Sequence, residues 1–212
     1  MNIILLGAPG AGKGTQGELI SEKLQIPTIS TGNMLREAMA NGSDLGKQVK
    51  KYMDEGSLVP DEIIMDLLAD RVTQSDCAKG FILDGVPRTL PQAESIDAKG
   101  VRIDHVVSLE VDDDEIAGRM SGRRVCTHCG ATYHIVNNPP KTEGICDLCG
   151  KAVAIRKDDE PETVKHRLQV YHASTEVLKD YYAEQGKLRL VYGNQPIENT
   201  HQDILKAIGV TV

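Results

Sequence analysis

The run Gly7-Ala8-Pro9-Gly10-Ala11-Gly12-Lys13-Gly14-Thr15 constrains this chain more than any other stretch. It follows a short continuous apolar segment, Ile3–Leu6, and opens a helical pattern from Lys13 to Leu24, with Leu19, Ile20 and Leu24 on one stripe. A strand that is apolar on every residue is buried on both faces, as in a parallel sheet. Glycines there let successive backbone N–H groups curl inward around phosphate oxygens, and the helix N-terminus adds partial positive charge. Lys13 supplies a mobile full charge, so the loop predicts a triphosphate site. The general pattern places a hydroxyl directly after the lysine; here that position is Gly14 and the hydroxyl is Thr15. Contact of Thr15 with phosphate or a metal-bound water is therefore expected in place of direct metal ligation.

Strand and helix patterns alternate beyond the loop. Phe81–Leu83, Val106–Val111 and Leu188–Tyr192 read as further buried strands, and Asp113 to about Gly122, Glu162–Glu184 and Thr200–Ile208 as helices. Asp112 and the acids behind it suit a helix start through capping and the helix dipole. This alternation predicts an α/β fold, a parallel sheet flanked by helices on both faces. Two stretches interrupt it: about 30–59 is helical without a clear strand, and about 122–159 is rich in Cys, Gly and Pro.

Within that second stretch, Cys126-x2-Cys129 and Cys146-x2-Cys149 form two knuckles separated by 16 residues. The spacing predicts a closed tetrahedral metal site, structural because four thiolates leave no open position. Zinc is the expected ion, with iron or cobalt as alternatives for the same ligands. Cys77 is left as an ordinary thiol. One Phe, six Tyr and no Trp require an aliphatic core, and the net charge of −7 argues against nonspecific binding to nucleic acid or an anionic membrane. No apolar run approaches membrane-spanning length and the N-terminus lacks a secretory pattern, so a cytoplasmic monomer is expected.

The chain resembles the adenylate kinases. Gly7–Thr15 matches their phosphate loop, Ile29–Arg36 their monophosphate signature, Phe81–Thr89 with Gln92 their third block, and Arg119, Gly122–Arg124 and Arg156–Asp159 their lid and hinge. The resemblance implies a P-loop core of 1–29, 60–121 and 160–212, a monophosphate-binding insertion at 30–59 and a small zinc-stapled β lid at 122–159. It implies transfer between ATP, AMP and ADP, with Mg²⁺ accompanying ATP. Gly10, Ala11, Gly12, Lys13, Gly14, Thr15, Arg119, Arg123, Thr132, Tyr133 and Gln195 would then contact ATP. Thr31, Arg36, Ser57, Leu58, Val59, Gly85, Val86, Pro87, Arg88, Gln92, Arg156 and Arg167 would contact AMP.

Phosphoryl transfer asks mainly for in-line positioning and charge neutralisation. Lys13, Arg88, Arg123, Arg156 and Arg167 suit the migrating group, and Asp84, at the end of a buried strand, suits a Mg²⁺-bound water. Arg119 and Arg123 are expected on one face of a helix leading into the lid. Two positions depart from the family pattern: Asn33 replaces the usual Asp, and Val86 replaces an aromatic beside the monophosphate base. A kinase for another monophosphate, and a noncatalytic nucleotide- or nucleic-acid-binding module, are the rival readings.

Overall fold

The computed structural model describes residues 1–211. Its centre is a five-stranded, wholly parallel sheet in the order β2-β3-β1-β4-β8, built from β1 (Asn2–Leu6), β2 (Thr28–Ser30), β3 (Phe81–Asp84), β4 (His105–Glu110) and β8 (Leu188–Tyr192). β1 is central, with Ile3 paired to Ile82 on one side and to His105 on the other.

Period-two alternation sends successive β1 residues into two different cores. Ile4 and Leu6 join Leu83 and Val106 in one cluster, roofed by α2 (Thr31–Ala40), α4 (Asp61–Val72), α5 (Leu90–Ala98) and α8 (Leu178–Glu184). Ile3 and Leu5 join Ile82 and Val107 in the other, against Ile20 of α1 (Lys13–Leu24) and Ile204 and Leu205 of α9 (Ile197–Ala207). Both faces are covered, so the apolar runs have no polar alternation.

Leu19, expected on the buried stripe of α1, is only half-buried and lines the cleft; Gln16, Gly17 and Ile20 form the buried face instead. β2 was not anticipated. Its three residues, Thr-Ile-Ser, carry too little apolar signal to read as a strand, and parallel pairing to β3 alone defines it. The helix foreseen over 162–184 is α7 (Pro161–Val170), a π turn at Tyr171–Thr175, and α8. Thr175 in that turn donates to the Arg88 carbonyl at 2.8 Å, tying it to the loop after β3.

Residues 31–55 fold as α2 followed by α3 (Asp44–Glu55), whose start Ser43 caps by accepting from Gly46 N at 3.1 Å. After α6 (Asp113–Gly122) the chain enters a separate antiparallel sheet, β6-β5-β7, of β5 (Arg123–Cys126), β6 (Thr132–His134) and β7 (Val153–Ala154). Asp112 occupies the N-cap of α6 but makes no side-chain cap bond. Asp113 in the first turn instead meets His172 Nε2 at 3.0 Å. Among the described residues no helix is long and apolar enough to cross a membrane.

Candidate active site

The C-terminal ends of β1, β2 and β3 open into one cleft of about 1290 Å³. This is where a doubly wound sheet changes direction and where such sheets receive ligands. The phosphate loop forms its floor. Gly12 enters α1 at φ 102°, a left-handed conformation that a Cβ would strain, and so turns the loop amides toward the cleft. Lys13 Nζ donates across the loop to the carbonyls of Gly7 at 2.7 Å and Ala8 at 2.8 Å. Burial pushes its ammonium down to about 8, opposed by the nearby Asp84 carboxylate.

Five arginines converge above that floor from separate elements. Arg36 comes from α2, Arg88 from the loop after β3, Arg123 from β5, Arg156 from the segment after β7, and Arg167 from α7. Arg88 Nε donates to the Gly85 carbonyl at 2.9 Å. Arg156 is pushed down to about 9 by burial and then by the neighbouring Arg36 and Arg123, and its buried Nε has no partner. Burial also lowers Arg167, to about 10, against the opposing pull of Asp158.

The nearest counter-charges are Asp84, Asp158 and Asp159. Asp159, its side chain wholly buried, accepts from Arg123 Nε at 2.8 Å, from Arg123 Nη2, and from Arg167 Nη1 at 3.3 Å. Lys13 and the five arginines outnumber these three carboxylates, leaving a local excess of positive charge in this part of the cleft. A phosphate chain is the ligand chemistry that matches it.

Two lobes flank this centre. On one side a smaller cavity of mixed polarity is lined by residues including Thr31, Leu35, Val59, Ile64, Arg88 and Gln92. Thr31 Oγ1 donates to the Gly85 carbonyl at 3.1 Å, and the Val86–Pro87 bond beyond it is cis. On the other side Arg119 Nη2 donates to the carbonyl of Gly193 at 2.8 Å and to Asn194 Oδ1 at 3.2 Å, beside Gln195. The 30–59 stretch also meets the cysteine-bearing stretch and α7. Lys157 pairs with Asp54 at 2.9 Å, Ser57 Oγ lies 3.3 Å from His166 Nε2, and Gly130 packs on the Asn33 carboxamide.

The four knuckle sulfurs also converge, all within 4.8 Å of one another. Cys126 and Cys149 are 3.4 Å apart, and Cys129 and Cys146 3.5 Å. Thiolates about 2.3 Å from a central zinc would form a tetrahedron with edges of roughly 3.8 Å, so the residues present fit such an ion. Tyr133, buried, places its hydroxyl 3.3 Å from Cys146 Sγ and accepts from Asp147 N at 2.7 Å. The phenol draws the Cys146 thiol down to about 6.

Comparison with known proteins agrees with this architecture. The family model described as adenylate kinase matches residues 5–187. The chain belongs to the adenylate kinase family. It is similar over its length to proteins named adenylate kinase from Lachnospira eligens, at 53% identity over 99% of this chain and all of that protein, and Caldicellulosiruptor bescii, at 52% over 99% and 100%. That from Carboxydothermus hydrogenoformans is 50% identical over 98% of this chain and 99% of its own. As a member of the adenylate kinases the chain is an enzyme of nucleotide phosphoryl transfer.

Several expectations change in detail. Arg119 and Arg123 do not share a helix face: α6 ends at Gly122, and Arg123 is already in β5. A Cβ at Gly122 would lie 2.2 Å from the His134 ring, and the Gly122 carbonyl accepts from Ile135 N at 3.0 Å, so the chain returns close against the helix end. Arg119 therefore turns to Gly193 while Arg123 turns to Asp159. Val86, expected on the wall beside the base, is wholly buried in the core cluster with Leu35, Val59 and Ile64. Tyr133 has its hydroxyl committed to the cysteine cluster, leaving Thr132 and His134 as the β6 residues whose polar side chains line the cleft.

Sequence reasoning assigns no site role to Asp61, His134, Asp159 and Asn194. His134 accepts from the amides of Val136 and Asn137 at Nδ1, both at 3.1 Å, which leaves the proton on Nε2; that atom is buried without a protein partner, and the residue lines the cleft.

Proposed function

We propose that the chain transfers the γ-phosphoryl group of MgATP to AMP, giving two ADP. The observation that carries this reading is the convergence of Lys13 and five arginines between two lobes of one cleft. One lobe is bounded by the phosphate loop, Arg119 and Gln195, the other by Thr31, Val59 and Gln92. A cation cluster flanked on both sides by parts of one cleft suits two nucleotides placed end to end through their phosphates.

In this reading the amides of Gly10 to Thr15 hold the donor's β and γ phosphates, and Lys13 exchanges its loop carbonyls for phosphate oxygens. Arg119 and Gln195 flank the donor base, with Thr132 and Tyr133 closing from β6. Arg36 and Arg88 grip the acceptor phosphate, Thr31, Gly85 and the Ser57–Val59 backbone frame the acceptor, and Gln92 meets its base. Arg123, Arg156 and Arg167 surround the migrating group. Their guanidiniums are already gathered before charge develops, which is the requirement of electrostatic catalysis. Asp84 and Thr15 would hold the waters of Mg²⁺, which neutralises the donor phosphates when bound.

The body divides in this reading into a core (1–29, 60–121 and 160–212), an acceptor-binding insertion (30–59) and a lid (122–159). Closure of lid on insertion keeps water from the phosphoryl group. The Lys157–Asp54 pair and the Gly130–Asn33 contact support such closure. Cys126, Cys129, Cys146 and Cys149 would hold a zinc ion whose role would be to stiffen the lid, apart from the chemistry. The net charge of −7 supports a protein that engages neither nucleic acid nor an anionic membrane, and in this reading it is a cytoplasmic monomer. Coupled assays with AMP, GMP, CMP and UMP as acceptors test the reading. AMP is expected to lead by orders of magnitude, and turnover of another acceptor without AMP would overturn it.

A further inference from the structure

The start of α4 and the start of α5 are locked together by four polar groups beside the smaller cavity. Asp61 accepts from Thr89 Oγ1 at 2.9 Å and from Gln92 Nε2 at 2.6 Å. Thr89, the cap of α5, accepts in turn from Gln92 N at 3.3 Å. On the opposite side of the Gln92 side chain, the backbone amide of Arg88 donates to Gln92 Oε1 at 2.7 Å. Gln92 is 2% exposed and lines the cavity.

These partners decide which end of the amide is which. A backbone N–H can only donate, so the atom it meets is oxygen; a carboxylate accepts, so the atom facing Asp61 is nitrogen. One N–H and one oxygen lone pair of Gln92 remain for a ligand, in a fixed left-to-right order.

We propose that Asp61 is a positioning residue that holds Gln92 in this orientation and so makes the site select a purine with a 6-amino group over one with a 6-oxo group. The proposal rests on the reading above that Gln92 meets the acceptor base. A 6-aminopurine presents an acceptor at N1 beside a donor on its amine. A 6-oxopurine presents a donor at N1–H beside an acceptor on its carbonyl. Pairing with the second requires the Gln92 amide to invert. Inversion would set its NH₂ against the Arg88 N–H and its oxygen against the Asp61 carboxylate, two repulsive contacts in a buried setting. Selectivity therefore comes from an excluded alternative as much as from a favourable fit.

Asp61→Asn removes one of the two locks with almost no change of shape, because its carboxamide can meet either end of Gln92. The test is the ratio of dissociation constants for AMP and for inosine monophosphate, measured by competition on one sample each of wild type, D61N and Q92A. A ratio taken on one sample is independent of the folded fraction, so a purely structural role for Asp61 would leave it unmoved. Wild type should prefer AMP at least tenfold. D61N should shrink that preference about tenfold, by weakening AMP and admitting inosine monophosphate, and Q92A should abolish it. If Q92A collapses the ratio while D61N stays within twofold of wild type, the role of Asp61 is overturned. If Q92A leaves the ratio intact, or wild type shows no preference, the placement of Gln92 against the base fails first and the proposal with it.

Discussion

Asp159→Asn tests whether the arginine cluster is held ready by its own carboxylates before substrate arrives. The Asp159 side chain is wholly buried and takes three donor contacts from Arg123 and Arg167. Asparagine keeps the shape but removes the charge, and its NH₂ would face guanidinium N–H groups. Breaking a buried ion pair from one side costs about 3–5 kcal/mol. The two arginine side chains retain 14% and 15% exposure toward the cleft, where water can resolvate them, so the lower end applies. About 3 kcal/mol in a chain of this length corresponds to a fall in Tm of roughly 6–12 °C. Thermal unfolding of wild type and D159N, with and without saturating ATP and AMP, checks this. Nucleotide should narrow the gap, because its phosphates supply the anion that the variant lacks. A loss below about 2 °C, or a gap that widens with nucleotide, would refute the reasoning.

Other expectations follow from the same contacts. Lys13→Ala should lower kcat about 10²- to 10³-fold, the scale of losing one preorganised charge-stabilising donor, with an unchanged unfolding profile; a near wild-type rate would remove Lys13 from its assigned place. Stripping metal from the cysteine cluster with a chelator should lower Tm while leaving measurable turnover at low temperature, and elemental analysis of the purified protein identifies the ion. His172 sits between Glu176 at 2.8 Å and Asp113 at 3.0 Å, and these hydrogen bonds raise its pKa above 6.5, the Glu176 contact most. A raised folded value adds stability that is complete below the unfolded pKa and is lost as pH rises through the folded one. His172→Gln should therefore lower Tm at pH 5.5 more than at pH 9, and equal losses at both would contradict the pairing.

The parts that sequence made legible are those whose physics is local. β1, the phosphate loop and α1 announce themselves because a strand buried on both faces must be apolar throughout and an anion-binding turn must be rich in glycine. The cysteine cluster is likewise visible, since two knuckles fix their own sulfurs. What stayed hidden depends on partners distant in the chain. β2 is a strand only because β3 lies beside it. Arg123 lies in a strand because it pairs with His134 of β6, which also packs against Gly122. Asp61 matters because Gln92, one helix and one strand later, ends up against it, and no spacing rule relates the two. The π turn at Tyr171–Thr175 belongs to the same class, shaped by Thr175 reaching the carbonyl of Arg88.

The central claim is that this cleft joins two nucleotides and moves one phosphoryl group between them. Phosphorus NMR of the protein with equimolar MgATP and AMP tests that most directly, by following every phosphate at once. Two ADP should form for each AMP consumed, the same equilibrium should be approached from ADP alone, and no inorganic phosphate should appear. Phosphate release from ATP at a rate indifferent to AMP would contradict it.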